Sequence, residues 1–247
     1  MKYKTKNLGV FITHECGIDK NGLGCGFCRV GGTEDSIHIQ EKYLKDILNT
    51  FSAIDTIEIR GGDPKDNIDG LKRFGELLCA GGVPVVSLKV CNGGVRFQSV
   101  VDVLKFIQQN SRLKVRGEVS NNPFLDAALK RQGFDPESIK NEVREIIRQN
   151  PDLDLVLLPP PRIIEAEGRA VNFKNAVAAL PKPIFNNKKS AESGICDDIT
   201  ITADGFVSAF DWAPYKKVRL PGNNYGCLKN ERFHSIIEKE RQKSLNL

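Results

Sequence analysis

Residues 13–32 read THECGIDKNGLGCGFCRVGG and hold three of the seven cysteines of the chain. Eight residues separate Cys16 from Cys25, and two separate Cys25 from Cys28. Glycines at positions 22, 24 and 26 lie among them, and glycine lets a loop wrap closely around a bound group. Structural zinc takes four protein ligands, whereas an iron–sulfur cluster on three thiolates keeps one iron without a protein ligand. Three cysteines on one loop therefore favour a metal centre that performs chemistry.

The composition is that of a globular protein. The chain has 247 residues, of which 40% are hydrophobic, enough for one large domain or a domain with a small appendage. A net charge of +5 and a pI of about 8.8 do not imply a nucleic-acid partner. The sequence has no apolar run of the ~18 residues that a membrane span requires, and its basic start, MKYKTKNLGVFI, is too short in apolar residues for an export signal. Cysteines without an export signal favour metal ligation in a reducing cytoplasm over disulfides.

Strands and helices alternate along the first two thirds of the chain. This pattern predicts an α/β fold, with a parallel sheet and crossover helices. The predicted strands are 8–14, 54–60, 83–94, 113–123 and 153–161, and the predicted helices are 39–51, 67–82, 97–110 and 136–150.

Polar or glycine-rich segments follow four of these strands. They are the cysteine loop and residues 61–64, 91–94 and 120–122. Ligands bind such folds at the carboxyl ends of the strands, so we expect these segments to converge on one edge of the sheet.

The pattern changes after Pro161. Residues 199–210, ITITADGFVSAF, predict a hairpin around Asp204 and Gly205, and a final helix follows from about residue 230. We therefore predict two units, residues 1–162 and a small α+β extension over residues 163–247.

Three motifs in the first unit resemble those of the radical S-adenosylmethionine superfamily. The CGFC at 25–28 matches the second half of its three-cysteine motif, although the eight-residue first gap exceeds the usual three. The EIRGGDP at 58–64 resembles the family's GGEP motif, with Asp63 in place of the glutamate. The KVCNGG at 89–94 resembles the motif that ends the third strand, with Cys91 in the threonine position.

The resemblance implies a fold, two cofactors and a set of contacts. The fold is a partial (β/α) barrel, and the cofactors are a [4Fe–4S] cluster and S-adenosylmethionine. An electron donor such as flavodoxin or ferredoxin would be a partner, and a 5′-deoxyadenosyl radical would abstract hydrogen from a substrate. The implied cluster ligands are Cys16, Cys25 and Cys28. The implied cofactor contacts are Phe27 at the adenine, Gly61, Gly62 and Asp63 at the amino group, and Ser120 and Asn121 at the ribose or carboxylate.

The second unit resembles the SPASM extension of that superfamily, or its shorter twitch form. The EGRA at 167–170, Cys196, the Asp-Gly turn and Cys227 carry this resemblance. Phe210 stands where the family has a cysteine ligand, so we expect the extension to lack an auxiliary cluster. Members with this extension often modify peptides or proteins, while others act on sugars or nucleotide precursors, and the sequence leaves the substrate open.

Simpler readings remain at each motif. Three cysteines and His14 could form a zinc module without catalytic activity. The GGDP segment could be a surface turn, and Ser120 could cap a helix. Cys196 and Cys227 could be buried thiols.

Overall fold

The chain is an α/β protein in the computed structural model, which describes residues 2–18, 37–159, 183–209 and 224–246. The strands are β1 (Tyr3–Thr13), β2 (Phe51–Gly61), β3 (Val85–Asn92), β4 (Lys114–Val119), β5 (Asp154–Leu157), β6 (Ile195–Cys196), β7 (Ile199–Ile201), β8 (Phe206–Ala209) and β9 (Gly226–Cys227). The helices are α1 (Glu41–Thr50), α2 (Ile68–Cys79), α3 (Phe97–Asn110), α4 (Pro123–Arg131), α5 (Pro136–Gln149), α6 (Lys188–Ser193) and α7 (Phe233–Leu245).

All of these strands belong to one sheet. Its order is β5-β4-β3-β2-β1-β7-β8-β9, and β6 also pairs with β1. The pairs from β5 to β1 are parallel, as are those of β1 with β6 and with β7. β8 pairs antiparallel with both β7 and β9. The result is a parallel, partly barrel-like β/α arrangement with a short antiparallel end, so the α/β prediction is confirmed.

The apolar core lies between one face of the sheet and the helices. Alternate residues of the central strands, such as Leu8, Ile57 and Leu88, are fully buried in one cluster with residues of α1, α2 and α3. The opposite face of β2, β3 and β4 carries polar and charged side chains. This two-sided pattern follows from the period of two in a strand.

Asparagine or aspartate side chains cap the starts of four described helices, α2, α4, α5 and α6. The side-chain oxygen of Asn67 accepts from the Gly70 N–H at the start of α2, and Asp135 caps α5. The sequence prediction omitted α4, which Asn122 caps through the Leu125 N–H and which has Pro123 at its first position. None of the described helices is long and apolar enough to cross a membrane.

The C-terminal strands continue the sheet of the first unit. In parallel pairing, Thr5 lies opposite Cys196 and Val10 lies opposite Ile201. The predicted boundary at 162/163 and the EGRA segment fall outside the described residues, so the division into two units stays a prediction.

Candidate functional site

Four segments that follow β1 to β4 meet at one edge of the sheet. We call residues 13–18, 61–66, 91–94 and 120–122 the rim. Backbone hydrogen bonds join its first two parts, because the Gly62 N–H donates to the Thr13 oxygen and the Asp63 N–H donates to the Glu15 oxygen, both at 2.9 Å. The Ser120 N–H donates to the Asn92 oxygen at 2.9 Å and joins the last two. The structure thus brings together the strand ends that the sequence predicted to converge.

Glycine is required where the first two rim segments cross. A Cβ on Gly61 would lie 2.2 Å from the Thr13 oxygen, and a Cβ on Gly62 would lie 1.6 Å from the Glu15 oxygen. Gly61 also has a φ of +127°, which strains any L side chain. The two glycines of GGDP therefore let the chain that leads to Cys16 lie directly against the end of β2.

The Asp63 carboxylate connects the end of β2 to the end of β3. It accepts hydrogen bonds from the Asn92 side chain at 2.9 Å, the Gly93 N–H at 3.1 Å and the Lys65 N–H at 3.2 Å. Asp63 is only 2% exposed. Burial raises its pKa to about 6, an effect that the Lys65 ammonium opposes. The Asp63 carboxylate therefore links the segment after β2 to the segment after β3.

Of the three predicted cluster ligands, Cys16 alone lies among the described residues, and it is partly exposed. Phe27, Cys25 and Cys28 lie outside the described residues. Among the described residues, no three histidine, cysteine or acidic side chains come together as metal ligands. Cys16 fits the implied group in its chemistry, because a cysteine sulfur is the ligand that iron–sulfur clusters take. The Lys65 ammonium lies beside the following residue, Gly17, in an ion pair with Asp66.

Ser120 and Asn121 lie between the end of β4 and the start of α4, and both are partly buried. Asn122, not Ser120, caps α4, so the capping alternative for Ser120 is wrong. Ser120 and Gly93 instead line a cavity of about 10 Å³, together with the ion pair of Asp126 and Lys140 at 2.7 Å. The structure thus places Ser120 at the rim, beside the end of β3.

A small apolar cluster holds the cysteine segment against α4. Ile18 packs with Leu125, Ala128 and Leu129, and Cys16 contacts the same cluster. Ile18 is 3% exposed. The chain is thus fixed on both sides of Gly17, by Ile18 in this cluster and by Glu15 in its hydrogen bond to Asp63.

His14 joins the rim to the C-terminal hairpin. Its side chain is fully buried, and its Nε2 accepts the Ala203 N–H at 3.1 Å beside Asp204. This bond occupies the Nε2 lone pair that zinc ligation through that atom would need. No local sequence pattern predicts this contact, because it joins residues 189 positions apart.

Charged side chains cover the sheet face opposite the helices. The Lys89 ammonium lies 3.1 Å from Glu58 and 2.8 Å from Glu118, while Arg60 pairs with Glu58. The Cys91 thiol donates to Glu58 at 3.4 Å, and its pKa is raised by burial and then by that carboxylate. Cys91 is therefore held as a neutral thiol within the rim, next to Asn92.

Cys196 and Cys227 do not come together. Cys196 pairs with Thr5 near the start of β1. Cys227 pairs with Phe206 of β8, and the pairing of β8 with β7 and of β7 with β1 places Phe206 at the level of Phe11. Six residues of strand separate these levels, or roughly 20 Å at ~3.3 Å per residue. Both thiols are buried, and that of Cys227 donates to the Asp204 oxygen at 3.8 Å. Phe210, which stands where the family has a cysteine ligand, falls outside the described residues.

Comparisons with known proteins give matches of fold only. No family model and no curated protein matches the sequence. Solved structures of radical S-adenosylmethionine enzymes match over nearly the whole chain at low identity. The structure of anSMEcpe with bound AdoMet has a TM-score of 0.49 and 11% identity, and the match covers 98% of this chain and 83% of that one. Streptococcus suis SuiB bound to the precursor peptide SuiA has a TM-score of 0.35 and 10% identity over 95% of this chain and 65% of its own, so this chain spans just under two thirds of SuiB.

Proposed function

We propose that this chain is a radical S-adenosylmethionine enzyme whose cluster is held by Cys16, Cys25 and Cys28. The observation that supports this most is the attachment of the Cys16 segment to the GGDP segment through the Gly62 and Asp63 amides. A zinc module of three cysteines and a histidine would not require that crossing, nor the two further strand ends beside it.

The chain's own residues would bind and orient the cofactor at the rim. The Asp63 carboxylate already accepts three hydrogen bonds, so we assign the amino group mainly to the peptide groups of Gly61 and Gly62, with Asp63 fixing their position. Ser120 and Asn121 would meet the ribose or carboxylate, and Phe27 the adenine. When bound, the cluster and S-adenosylmethionine would supply one-electron cleavage to a 5′-deoxyadenosyl radical that abstracts hydrogen.

The substrate proposal follows from the resemblance of the extension. A peptide or protein side chain is the class that we propose, with a flavodoxin or ferredoxin as the electron donor. The charged sheet face around Lys89 and Cys91 adjoins the rim and would form part of the wall that surrounds the substrate.

The test is anaerobic reconstitution of the full chain with iron and sulfide. We expect about four iron and four sulfide per chain, as in one [4Fe–4S] site, and slow cleavage of S-adenosylmethionine under dithionite. Replacing Cys16, Cys25 and Cys28 by alanine should abolish both. Cys79→Ala is the matched control, because this thiol lies near the Ile107 carbonyl of α3, away from the rim. Bound zinc without sulfide, or iron that survives the triple replacement, would refute the proposal.

A further inference from the structure

The turn after Asp63 contains a buried lysine. Residues Pro64–Asn67 form one 3₁₀ turn, and the Lys65 side chain in it is only 5% exposed. Lysine is almost never buried without a partner. Its ammonium lies 2.7 and 2.8 Å from the two Asp66 oxygens and 4.0 Å from the Asp63 carboxylate.

This ion pair lies against the residue that follows Cys16. Asp66 Oδ2 accepts the Gly17 N–H at 2.7 Å. A Cβ on Gly17 would lie 3.1 Å from the Lys65 ammonium and 3.2 Å from Asp66 Oδ1, so a larger residue would require the pair to shift by a few tenths of an ångström. The peptide next to Cys16 is therefore held by Asp66, and the Lys65 ammonium lies close to the same residue, Gly17.

Lys65 carries its charge in this position. Burial lowers its pKa, but Asp63, Asp66 and the Cys16 sulfur raise it by more, so the pKa lies above the ordinary value. A buried ion pair gives little net stability, because desolvation offsets much of the attraction between its members. The position of this pair, beside the first cysteine of the rim, suggests a role in the properties of that cysteine.

We propose that Lys65 and Asp66 form a built-in charge pair that positions Cys16 and sets the reduction potential of the group bound to it. This inference rests on the proposed function. Reduction adds one electron, supplied by a one-electron donor protein or by dithionite, and no proton is taken up, because Lys65 is protonated before and after. A nearby cation favours the reduced, more negative state, and a nearby carboxylate disfavours it. Lys65 therefore acts on the group bound to Cys16 through its charge, as a positioning residue that does not itself contact substrate.

Two variants test this with opposite signs. Lys65→Met keeps the length of the side chain and removes the cation, so the midpoint potential should become more negative. Asp66→Asn keeps an oxygen for the Gly17 N–H and removes the anion, so the potential should become more positive. The potential is measured by a redox titration of the reconstituted full chain, monitored by electron paramagnetic resonance, with iron content and urea denaturation recorded alongside.

Two further variants separate charge from packing. Lys65→Arg should return the potential toward that of the wild type, because it retains the cation. Lys72→Met removes an exposed lysine of α2 and should leave the potential unchanged. If Lys65→Met does not fold, Asp66→Asn and Lys65→Arg still decide the sign and the rescue.

The outcomes distinguish this inference from the proposed function. A wild-type chain that binds no iron–sulfur cluster refutes both. A wild-type cluster whose potential is the same in Asp66→Asn and in Lys65→Met, or moves in the same direction in both, overturns the inference and leaves the proposed function standing.

Discussion

Replacing Gly62 by alanine should destabilise the protein by displacing the cysteine segment from the end of β2. The added Cβ would lie 1.6 Å from the Glu15 oxygen, 2.4 Å from the Glu15 carbonyl carbon and 2.9 Å from the His14 carbonyl carbon. All three are backbone atoms, so no rotamer change can relieve the overlap. Close carbon–oxygen contacts in proteins lie near 3.3 Å, so the two segments must separate by roughly 1.5 Å or more.

The cost follows from what this separation disrupts. The Gly62 and Asp63 amides would lose their hydrogen bonds to the Thr13 and Glu15 oxygens, at about 0.5–1.5 kcal/mol each. Overpacking adds about 1–3 kcal/mol. The free energy of unfolding should therefore fall by about 2–6 kcal/mol, a large part of the about 5–15 kcal/mol of an ordinary domain.

The measurement is urea denaturation followed by far-ultraviolet circular dichroism. Gly82→Ala is the matched control, because a Cβ there meets no atom within 4 Å. That control should be neutral or stabilised by about 0.4–1 kcal/mol, since alanine restricts the unfolded chain. Gly62→Ala should also bind less iron on reconstitution. If the two variants have free energies of unfolding within about 0.5 kcal/mol of each other, the smallest shift worth interpreting for a surface change, the close crossing of the two segments is wrong.

Three further predictions concern single groups. Burial raises the pKa of Asp63 from 3.8 to about 6, so the folded state holds this proton more tightly. The associated stability, about 3 kcal/mol, should be fully present below pH 3.8 and lost as the pH rises through about 6; Asp63→Asn should lack that loss in urea titrations across this range. Replacing Cys196 and Cys227 by serine should leave iron at about four per chain, because the two thiols lie too far apart to share a cluster. Lys89→Met should cost about 1–2 kcal/mol in free energy of unfolding, because two buried glutamates lose a shared cation.

Each of these has a distinguishing result. An Asp63→Asn variant whose stability falls with pH as steeply as that of the wild type would assign the titration to another group. Iron near eight per chain that halves on loss of Cys196 and Cys227 would show an auxiliary cluster. Lys114→Met, at an exposed position of β4, is the control for Lys89, and equal losses in the two variants would show that the charged sheet face adds no stability.

Local pattern was enough to predict most elements of the fold. The helix predicted at 97–110 is α3 with the same bounds, because its apolar residues repeat at helical spacing up to Asn110. The sequence prediction omits α4, because residues 120–123, SNNP, end the predicted strand 113–123, although an asparagine followed by proline is also a helix start. The pairing of β7 with β1 could not be predicted, since it depends on residues about 190 positions apart rather than on a local pattern.

The site was predictable in its location and not in its internal bonding. Glycine-rich segments after strands pointed to one edge of the sheet, and the described segments do meet there. The sequence does not show that the Asp63 carboxylate bonds to Asn92 and Gly93, or that Lys65 is buried beside Gly17. These contacts depend on how closely two strand ends approach, which only the packed sheet determines.

The central position of β1 has a consequence for folding during synthesis. β2 can pair with one edge of β1 early, but β6 and β7, the strands for the other edge, lie about 190 residues further along the chain. Until they emerge from the ribosome, an apolar strand that includes Leu8 and Val10 has an open hydrogen-bonding edge, the feature that templates aggregation. The C-terminal strands thus act as an intramolecular cover for β1, and their pairing completes the sheet on both sides of the strand that leads to the cysteine segment.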